Sequence, residues 1–188
     1  MGCGKSQVAG MVASAGFSLL DSDAMIRERV LREPDVVAAI MARFGAEVLT
    51  AEGQVDRTAL ARRVFGSDEE RLWLEQLTHP RLFAAWRYAM RTEIGKKWVI
   101  EVPLLFEKGL ENWFDFTVCV ACSPDQQLAR LEQRGIPRAL AEQRISKQLP
   151  LATKTELSDI VLWNDGSIEF LQSQVDLMID GILQGSAA

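Results

Sequence analysis

Met1-Gly2-Cys3-Gly4-Lys5-Ser6 opens the chain, and this stretch decides the fold that we predict. It matches the last part of the phosphate-binding loop G-x-x-x-x-G-K-[ST], whose glycines let consecutive backbone N–H groups approach phosphate oxygens. In that pattern Lys5 reaches the terminal phosphates, Ser6 holds Mg²⁺, and a helix beginning near Gln7 favours the bound anion. The first glycine of the pattern would fall before Met1. Taken alone, the stretch also fits a disordered N-terminal tail.

Composition limits the class of protein. The chain has 188 residues, 48% of them hydrophobic and 25% charged, which is ordinary for one globular domain. No apolar run approaches the length of a membrane span, and the start lacks the pattern of a secretory signal, so we expect a cytoplasmic protein with no membrane partner. The net charge of −5 argues against general nucleic-acid binding, although a local basic patch would suit a phosphorylated small molecule.

Cys119 and Cys122 have C-x-x-C spacing in a chain with three cysteines and one histidine. A zinc site would lack ligands, and a redox pair more usually opens a helix than lies inside an apolar, strand-like run such as residues 116–122. We therefore expect reduced core cysteines, with a functional pair as the weaker alternative.

Strand-like and helical segments alternate, which predicts an α/β fold with a parallel sheet wrapped on both faces. The predicted strands are 17–20, 98–102, 116–121 and 160–163, and the predicted helices are 5–15, 24–31, 35–44, 57–64, 81–93, 167–183 and one that begins at Pro124 after a capping Ser123. No strand is predicted between residues 24 and 97. We expect a helical insertion there, forming one wall of a substrate cleft.

Two carboxylates, Asp21 and Asp23, follow the first predicted strand, at the edge where open parallel sheets carry their chemistry. Asp23 also suits the N-cap of the next helix, and the sequence leaves chemistry and capping about equally open. The single histidine, His79, precedes Pro80 at the predicted start of a helix. Such a histidine is more often a cap or a hydrogen-bonded structural residue than a catalytic group.

The segment from Arg130 to Lys154 is basic, with six lysines and arginines against two acidic residues. Charged runs on helices are usually solvated faces. Beside a phosphate loop, however, arginines on a mobile helical hairpin can neutralise the charge of a phosphoryl group in transfer. We therefore single out Arg134 and Arg144.

Together these segments resemble the dephospho-coenzyme A kinases, which are P-loop kinases of the nucleoside-monophosphate-kinase type. The matching motifs are G-C-G-K-S at 2–6, L-D-S-D-A-M-I-R at 20–27, F-G at 44–45, G-Q-V-D-R-T-A-L at 53–60, V-F at 64–65, H-P at 79–80, P-L-L-F-E at 103–107, Q-x-x-R-L-x-x-R at 127–134 and N-D-G at 164–166. The resemblance implies one domain over residues 1–188. Within it, residues 1–23 and 98–188 form the kinase core, residues 24–97 the acceptor-binding insertion, and residues 134–154 the lid.

The resemblance also implies the reaction: the γ-phosphate of ATP moves, with Mg²⁺, to the ribose 3′-hydroxyl of dephospho-CoA in the last step of CoA synthesis. Asp23 matches the catalytic aspartate, a carboxylate that orients the hydroxyl and accepts its proton. Lys5 and Arg144 complete the implied catalytic set. The other implied residues bind nucleotide (Gly2, Cys3, Gly4, Lys5, Ser6 with the metal, Gln7, Arg134, and Asn164 near the adenine) or acceptor (Arg27, His79, Pro103, Leu104 and Glu107).

Two departures from the family pattern stand out. Gln7 occupies a position where the family commonly has threonine, which removes one side-chain contact to the α-phosphate and keeps the backbone N–H. The family's first strand and its Thr-Gly-Gly would lie before Met1, so we expect the natural polypeptide to carry roughly ten more residues, enough for one buried strand and its turn. A chain that began at Met1 would lack a central strand and keep an apolar slot in its sheet.

Two other functions stay open from the sequence. Another small-molecule P-loop kinase would share the phosphate loop, but it does not predict the H-P and P-L-L-F-E segments at their positions. A non-catalytic nucleotide-binding remnant would follow from the shortened loop. The presence of Asp23, Lys5 and the lid arginines favours the enzyme.

Overall fold

The computed structural model describes residues 1–185, in which helices and strands alternate as predicted. The helices are α1 (Lys5–Ser14), α2 (Ser22–Glu28), α3 (Pro34–Phe44), α4 (Arg57–Phe65), α5 (Asp68–Thr92), α6 (Pro124–Gln133), α7 (Arg138–Ser146), α8 (Leu151–Leu157) and α9 (Ile168–Gly185), and the strands are β1 (Ser18–Asp21), β2 (Trp98–Glu101), β3 (Val118–Ala121) and β4 (Ile160–Trp163). Short 3₁₀ turns lie at Val30–Arg32, Ala46–Val48, Phe106–Lys108 and Glu111–Trp113. Of the helices described, none combines the length and apolarity that crossing a membrane requires.

The chain divides into two compact units. The core unit contains residues 1–19 and the chain from Val99 onward, and the helical unit contains residues 20–98. The predicted boundaries of core, insertion and lid stay predictions, and residues 186–188 of the predicted domain lie outside the described part.

In the core unit, β3 and β4 pair in parallel, with Val118 opposite Ile160 and Ala121 opposite Trp163. In the described part of the chain, β4 is the strand that pairs with β3, and Val118 is 36% exposed. The apolar face of α1 packs with β4 and α9 in a core of Val8, Val12, Leu162, Leu171, Val175, Met178 and Ile179. This core supports the residues that follow β4 and those that precede α1.

The helical unit has its own core, formed by Val30, Leu31, Val36, Ile40, Val48, Leu60 and Val64. Ion pairs join its helices at the surface, since Arg81 on α5 bonds to Glu33 at 3.0 Å and also to Asp35. As predicted, residues 24–97 contain no strand beyond an isolated bridge between Leu49 and Val55.

The prediction of a helix that begins at Arg81 after His79 and Pro80 is wrong. A single helix, α5, runs from Asp68 to Thr92 with Pro80 inside it. A proline within a helix removes one hydrogen bond and costs about 3 kcal/mol. The helix continues because Thr78, Leu82 and Trp86 form one buried face that spans the proline, and burying such a face outweighs a local break.

The N-cap of α2 is Asp21 and not Asp23. The Asp21 carboxylate accepts a hydrogen bond from the Ala24 N–H at 2.9 Å. Because β1 ends at Asp21, the helix begins at Ser22, and Asp23 lies exposed in its first turn. The interpretation of Asp23 as the N-cap is therefore wrong.

Candidate functional site

The phosphate loop depends on two glycines with left-handed backbone angles. Gly2 has φ of 82° and Gly4 has φ of 100°, a region that costs a residue with a side chain about 1–2 kcal/mol. Gly4 also has no room, since a Cβ there would lie 2.2 Å from Asn164 Nδ2. The Gly4 carbonyl accepts from the N–H groups of Gln7 at 3.0 Å and Val8 at 3.1 Å. The loop thus passes directly into α1, and the Gln7 N–H is engaged within this turn.

Asn164 fixes the phosphate loop through a hydrogen bond to the loop backbone. It is 4% exposed, and its amide donates to the Cys3 carbonyl at 2.9 Å. Arg130 on α6 donates to the Asn164 carbonyl at 2.8 Å and fixes this residue in turn. An adenine contact for Asn164 stays a prediction, whereas its contact with the loop backbone belongs to the fold. Local sequence patterns do not predict this hydrogen bond, because Asn164 and Cys3 are 161 residues apart.

Lys5 and Ser6 converge on one oxygen of Glu101, the last residue of β2. Lys5 Nζ lies 2.5 Å from Glu101 Oε1, and Ser6 Oγ donates to the same oxygen at 2.6 Å. Glu101 is 7% exposed, whereas the Lys5 side chain is 42% exposed. A buried carboxylate needs such partners, because an uncompensated charge in the interior is costly. Our sequence reasoning missed Glu101, although an acidic residue at the end of a short apolar strand was a usable signal.

The side chains of Ser6 and Glu101 fit a magnesium ion that phosphate oxygens also bind. Mg²⁺ prefers oxygen ligands and in phosphate sites is usually bound by one or two protein oxygens, the rest coming from phosphate and water. Ser6 Oγ and Glu101 Oε1 place two such oxygens next to each other. Within residues 1–185 there is no group of three or more His, Cys, Asp or Glu side chains that could hold a metal ion by themselves. A metal at Ser6 would thus depend on phosphate oxygens.

The two predicted lid arginines lie on a helical hairpin. Arg134 is the C-cap of α6 and is exposed, and Arg144 is half-buried in the last turn of α7. An apolar cluster of Leu128, Leu131 and Ala141 packs α6 against α7. This packing fixes the positions of both arginines on the hairpin. Their contact with nucleotide stays a prediction.

Glu107, predicted to bind the acceptor, is bonded to α8 and to the segment that precedes it. Its Oε1 lies 2.8 Å from Lys154 Nζ and accepts from the Leu149 N–H at 3.0 Å. Burial alone would raise the pKa of Glu107, but the hydrogen bonds from Lys154 and from Leu149 outweigh it and hold that pKa below its usual value. Pro103 and Leu104 are half-buried in the loop between β2 and this residue.

The other predicted acceptor residues lie in the helical unit. Arg27, in the last turn of α2, forms an ion pair with Glu28 at 2.8 Å, and this hydrogen bond raises the Arg27 pKa. Asp23 lies one turn earlier on the same helix. His79 is half-buried in the middle of α5, with its ring centroid 5.5 Å from that of Phe83. This ring contact agrees with a structural role, and a contact of His79 with the acceptor stays a prediction.

All three cysteines are buried free thiols, as expected for Cys119 and Cys122. Burial and a hydrogen bond with Cys3 raise the pKa of Cys122 to about 12, and burial also raises the pKa of Cys119. A thiol is reactive chiefly as the thiolate. These two cysteines therefore act as small core residues beneath the phosphate loop.

Comparison with known proteins gives consistent results. A family model described as CoaE, dephospho-CoA kinase, matches residues 1–169. The dephospho-CoA kinase of Thermosynechococcus vestitus is 41% identical, with 93% of this chain and 87% of that protein covered, and the one from Gloeobacter violaceus is 37% identical, with 94% and 86% covered. In fold, the chain is similar to TT1252 from Thermus thermophilus, with a TM-score of 0.80, 29% identity, and 96% and 93% of the two chains covered. It is also similar to a dephospho-CoA kinase from Campylobacter jejuni, with a TM-score of 0.72, 24% identity and 99% and 94% covered.

Proposed function

The chain belongs to the dephospho-CoA kinase family, and from that premise we propose that it transfers the γ-phosphate of ATP to the ribose 3′-hydroxyl of dephospho-CoA, giving CoA and ADP. The observation that carries the proposal is the convergence of Lys5 and Ser6 on Glu101, directly after a loop in which Gly2 and Gly4 have left-handed backbone angles. A cytoplasmic setting and the use of Mg²⁺ are parts of the same proposal.

The proposed site residues of the core unit act on the nucleotide and on the phosphoryl group. The Lys5 ammonium neutralises charge on the terminal phosphates of ATP, and the lid arginines Arg134 and Arg144 neutralise the charge that spreads over the group in transfer. Ser6 and Glu101 are the residues that would hold Mg²⁺, and the ion would neutralise negative charge on the phosphates. Glu101 keeps Lys5 and Ser6 oriented before the nucleotide arrives.

Asp23 is the proposed base in the helical unit. It orients the acceptor's 3′-hydroxyl and accepts its proton while the hydroxyl oxygen bonds to the γ-phosphorus and the bond from that phosphorus to the ADP oxygen breaks. Its exposure in the first turn of α2 supports this role, because Asp21 already supplies the helix cap.

A turnover assay with ATP and dephospho-CoA, run against a panel of nucleoside monophosphates, tests the proposal. We expect CoA and ADP to form in equal amounts from dephospho-CoA. Asp23→Asn should bind ATP as the wild type does and lose about 100-fold or more in kcat. Inert dephospho-CoA with an active monophosphate would establish a kinase for another acceptor, and an unchanged kcat in Asp23→Asn would remove Asp23 from the base role.

A further inference from the structure

Helix α9 carries an exposed apolar stripe in addition to its buried face. Phe170, Gln174 and Leu177 recur at helical spacing, and Leu177 is 73% exposed. The Gln174 amide accepts from the Trp163 N–H at 2.9 Å and donates to the Trp163 carbonyl at 2.8 Å, which fixes the exposed Trp163 beside the stripe. Single exposed apolar residues are ordinary, whereas several grouped on one face indicate an interaction surface.

Acidic residues follow this stripe along α9. Glu169, Asp176 and Asp180 are exposed and are separated by seven and four residues, so they lie in one row on the helix. The helix contains these three carboxylates and no lysine or arginine. The acidic face, as we name this surface, consists of Trp163, Glu169, Phe170, Asp176, Leu177 and Asp180.

The end of α5 carries the complementary combination. Residues 87–97 include four arginines and lysines against the single carboxylate of Glu93, and Tyr88 and Ile94 are 70% and 91% exposed. The helix dipole favours cations near a helix C-terminus. That effect accounts for Arg91 in the last turn of α5, but not for two large exposed side chains beside it. The basic face consists of Arg87, Tyr88, Arg91, Ile94, Lys96 and Lys97.

We propose that the acidic face of one copy of this chain binds the basic face of a second copy. The two faces have opposite charge and both expose large apolar side chains, so their contact buries apolar surface and places carboxylates beside cations. Either face against its own kind would bring like charges together, which is unfavourable. The acidic face belongs to the core unit and the basic face to the helical unit, so the contact joins different units of two copies.

The size of the two faces predicts a weak association. A standard interface buries about 800 Å² on each partner, and a large aromatic side chain supplies at most about 250 Å². The three apolar side chains of the acidic face are already partly covered, and they supply less than a standard interface. We therefore expect a dissociation constant between about 10 μM and 1 mM.

Sedimentation velocity of the wild type from about 5 μM to about 500 μM tests the contact. We expect the weight-average sedimentation coefficient to rise over this range. The acidic-face variant is Leu177→Lys with Asp180→Lys, and the basic-face variant is Arg91→Glu with Ile94→Glu. Both change exposed residues, and each variant alone should stay monomeric.

The matched control is Arg62→Glu with Leu72→Glu, which changes an exposed arginine of α4 and an exposed leucine of α5 outside both faces. This control should associate within two-fold of the wild type. Thermal unfolding of each variant shows whether it remains folded. In about 1 M NaCl the Debye length falls to about 3 Å, and association of the wild type should weaken about 10-fold.

An equimolar mixture of the two variants identifies which faces pair. The acidic-face variant keeps its basic face and the basic-face variant keeps its acidic face, so the mixture should associate although neither variant does so alone. Pairing of α9 with α9 of a second copy would instead let the basic-face variant associate as the wild type does. That result overturns the proposal, as does a monomeric mixture or a wild type that stays monomeric at about 500 μM.

Discussion

Replacing Gly4 with alanine tests the geometry of the phosphate loop most directly. The new Cβ would lie 2.2 Å from Asn164 Nδ2, a separation that real structures do not tolerate, so Asn164 must move. Its amide then loses the 2.9 Å hydrogen bond to the Cys3 carbonyl. The alanine would also have to adopt the φ of 100° that Gly4 has.

The two effects add to a measurable loss of stability. A residue with a side chain pays about 1–2 kcal/mol for a left-handed backbone. Loss of the bond between two buried groups, Asn164 being 4% exposed, costs about 1–3 kcal/mol. We therefore expect Gly4→Ala to lower the free energy of unfolding by about 2–5 kcal/mol, measured by urea denaturation followed by tryptophan fluorescence.

Gly10→Ala is the matched control, and its expected effect has the opposite sign. Gly10 lies inside α1, where a Cβ would meet nothing within 4 Å. Alanine in a helix interior stabilises by about 0.5–1 kcal/mol relative to glycine. If the clash with Asn164 is the cause, Asn164→Ala will also cost less in the Gly4→Ala protein than in the wild type. A Gly4→Ala protein within 0.5 kcal/mol of the wild type would refute the reasoning, as would equal costs of Asn164→Ala in both backgrounds.

Two further variants test the carboxylates of the core unit. Glu101→Gln removes the charge that orients Lys5 and Ser6, so we expect the apparent Mg²⁺ affinity in the turnover assay to weaken about 10- to 100-fold. Glu132→Gln, which changes an exposed residue of α6, is the control and should have no effect on this affinity. Equal dependence of the rate on Mg²⁺ concentration in Glu101→Gln and the wild type would contradict the assignment. Glu107→Gln should be less stable than the wild type at pH 7, and the difference should shrink on acidification. The sign follows because the folded protein holds the pKa of Glu107 below its ordinary value of 4.5, so its carboxylate stabilises the fold above that pH and loses this effect as pH falls through the lowered value. Urea denaturation between pH 7 and pH 4 measures it, and a difference independent of pH would argue against the Glu107–Lys154 contact.

Local sequence signals predicted the elements whose causes are local. The cap at Ser123 with Pro124 at the first helical position placed the start of α6 correctly, and the apolar run 160–163 coincides with β4. The predicted start of a helix after Pro80 was wrong because packing of the whole helix, and not the local proline signal, determines its length. Pro80 does not end a helix because burial on both sides of it maintains α5.

Long-range contacts account for what the sequence did not show at the candidate site. The motif identified Gly4, Lys5 and Ser6, but Glu101 joins them only because β2 ends beside the loop. Asn164 was predicted from its motif as a nucleotide residue, and its hydrogen bond to Cys3 depends on where β4 ends. No periodicity or spacing within one segment contains this information.

The two residues that fasten the phosphate loop also set when the loop can take shape during synthesis. Glu101 lies 96 residues after Lys5, and Asn164 lies 161 residues after Cys3. The ribosome therefore releases the loop long before either partner, and contacts of such large sequence separation form late in folding. A nascent chain cannot hold Gly4–Ser6 in their final arrangement until the segment after β4 has emerged. The phosphate loop therefore takes its final geometry only near the end of translation.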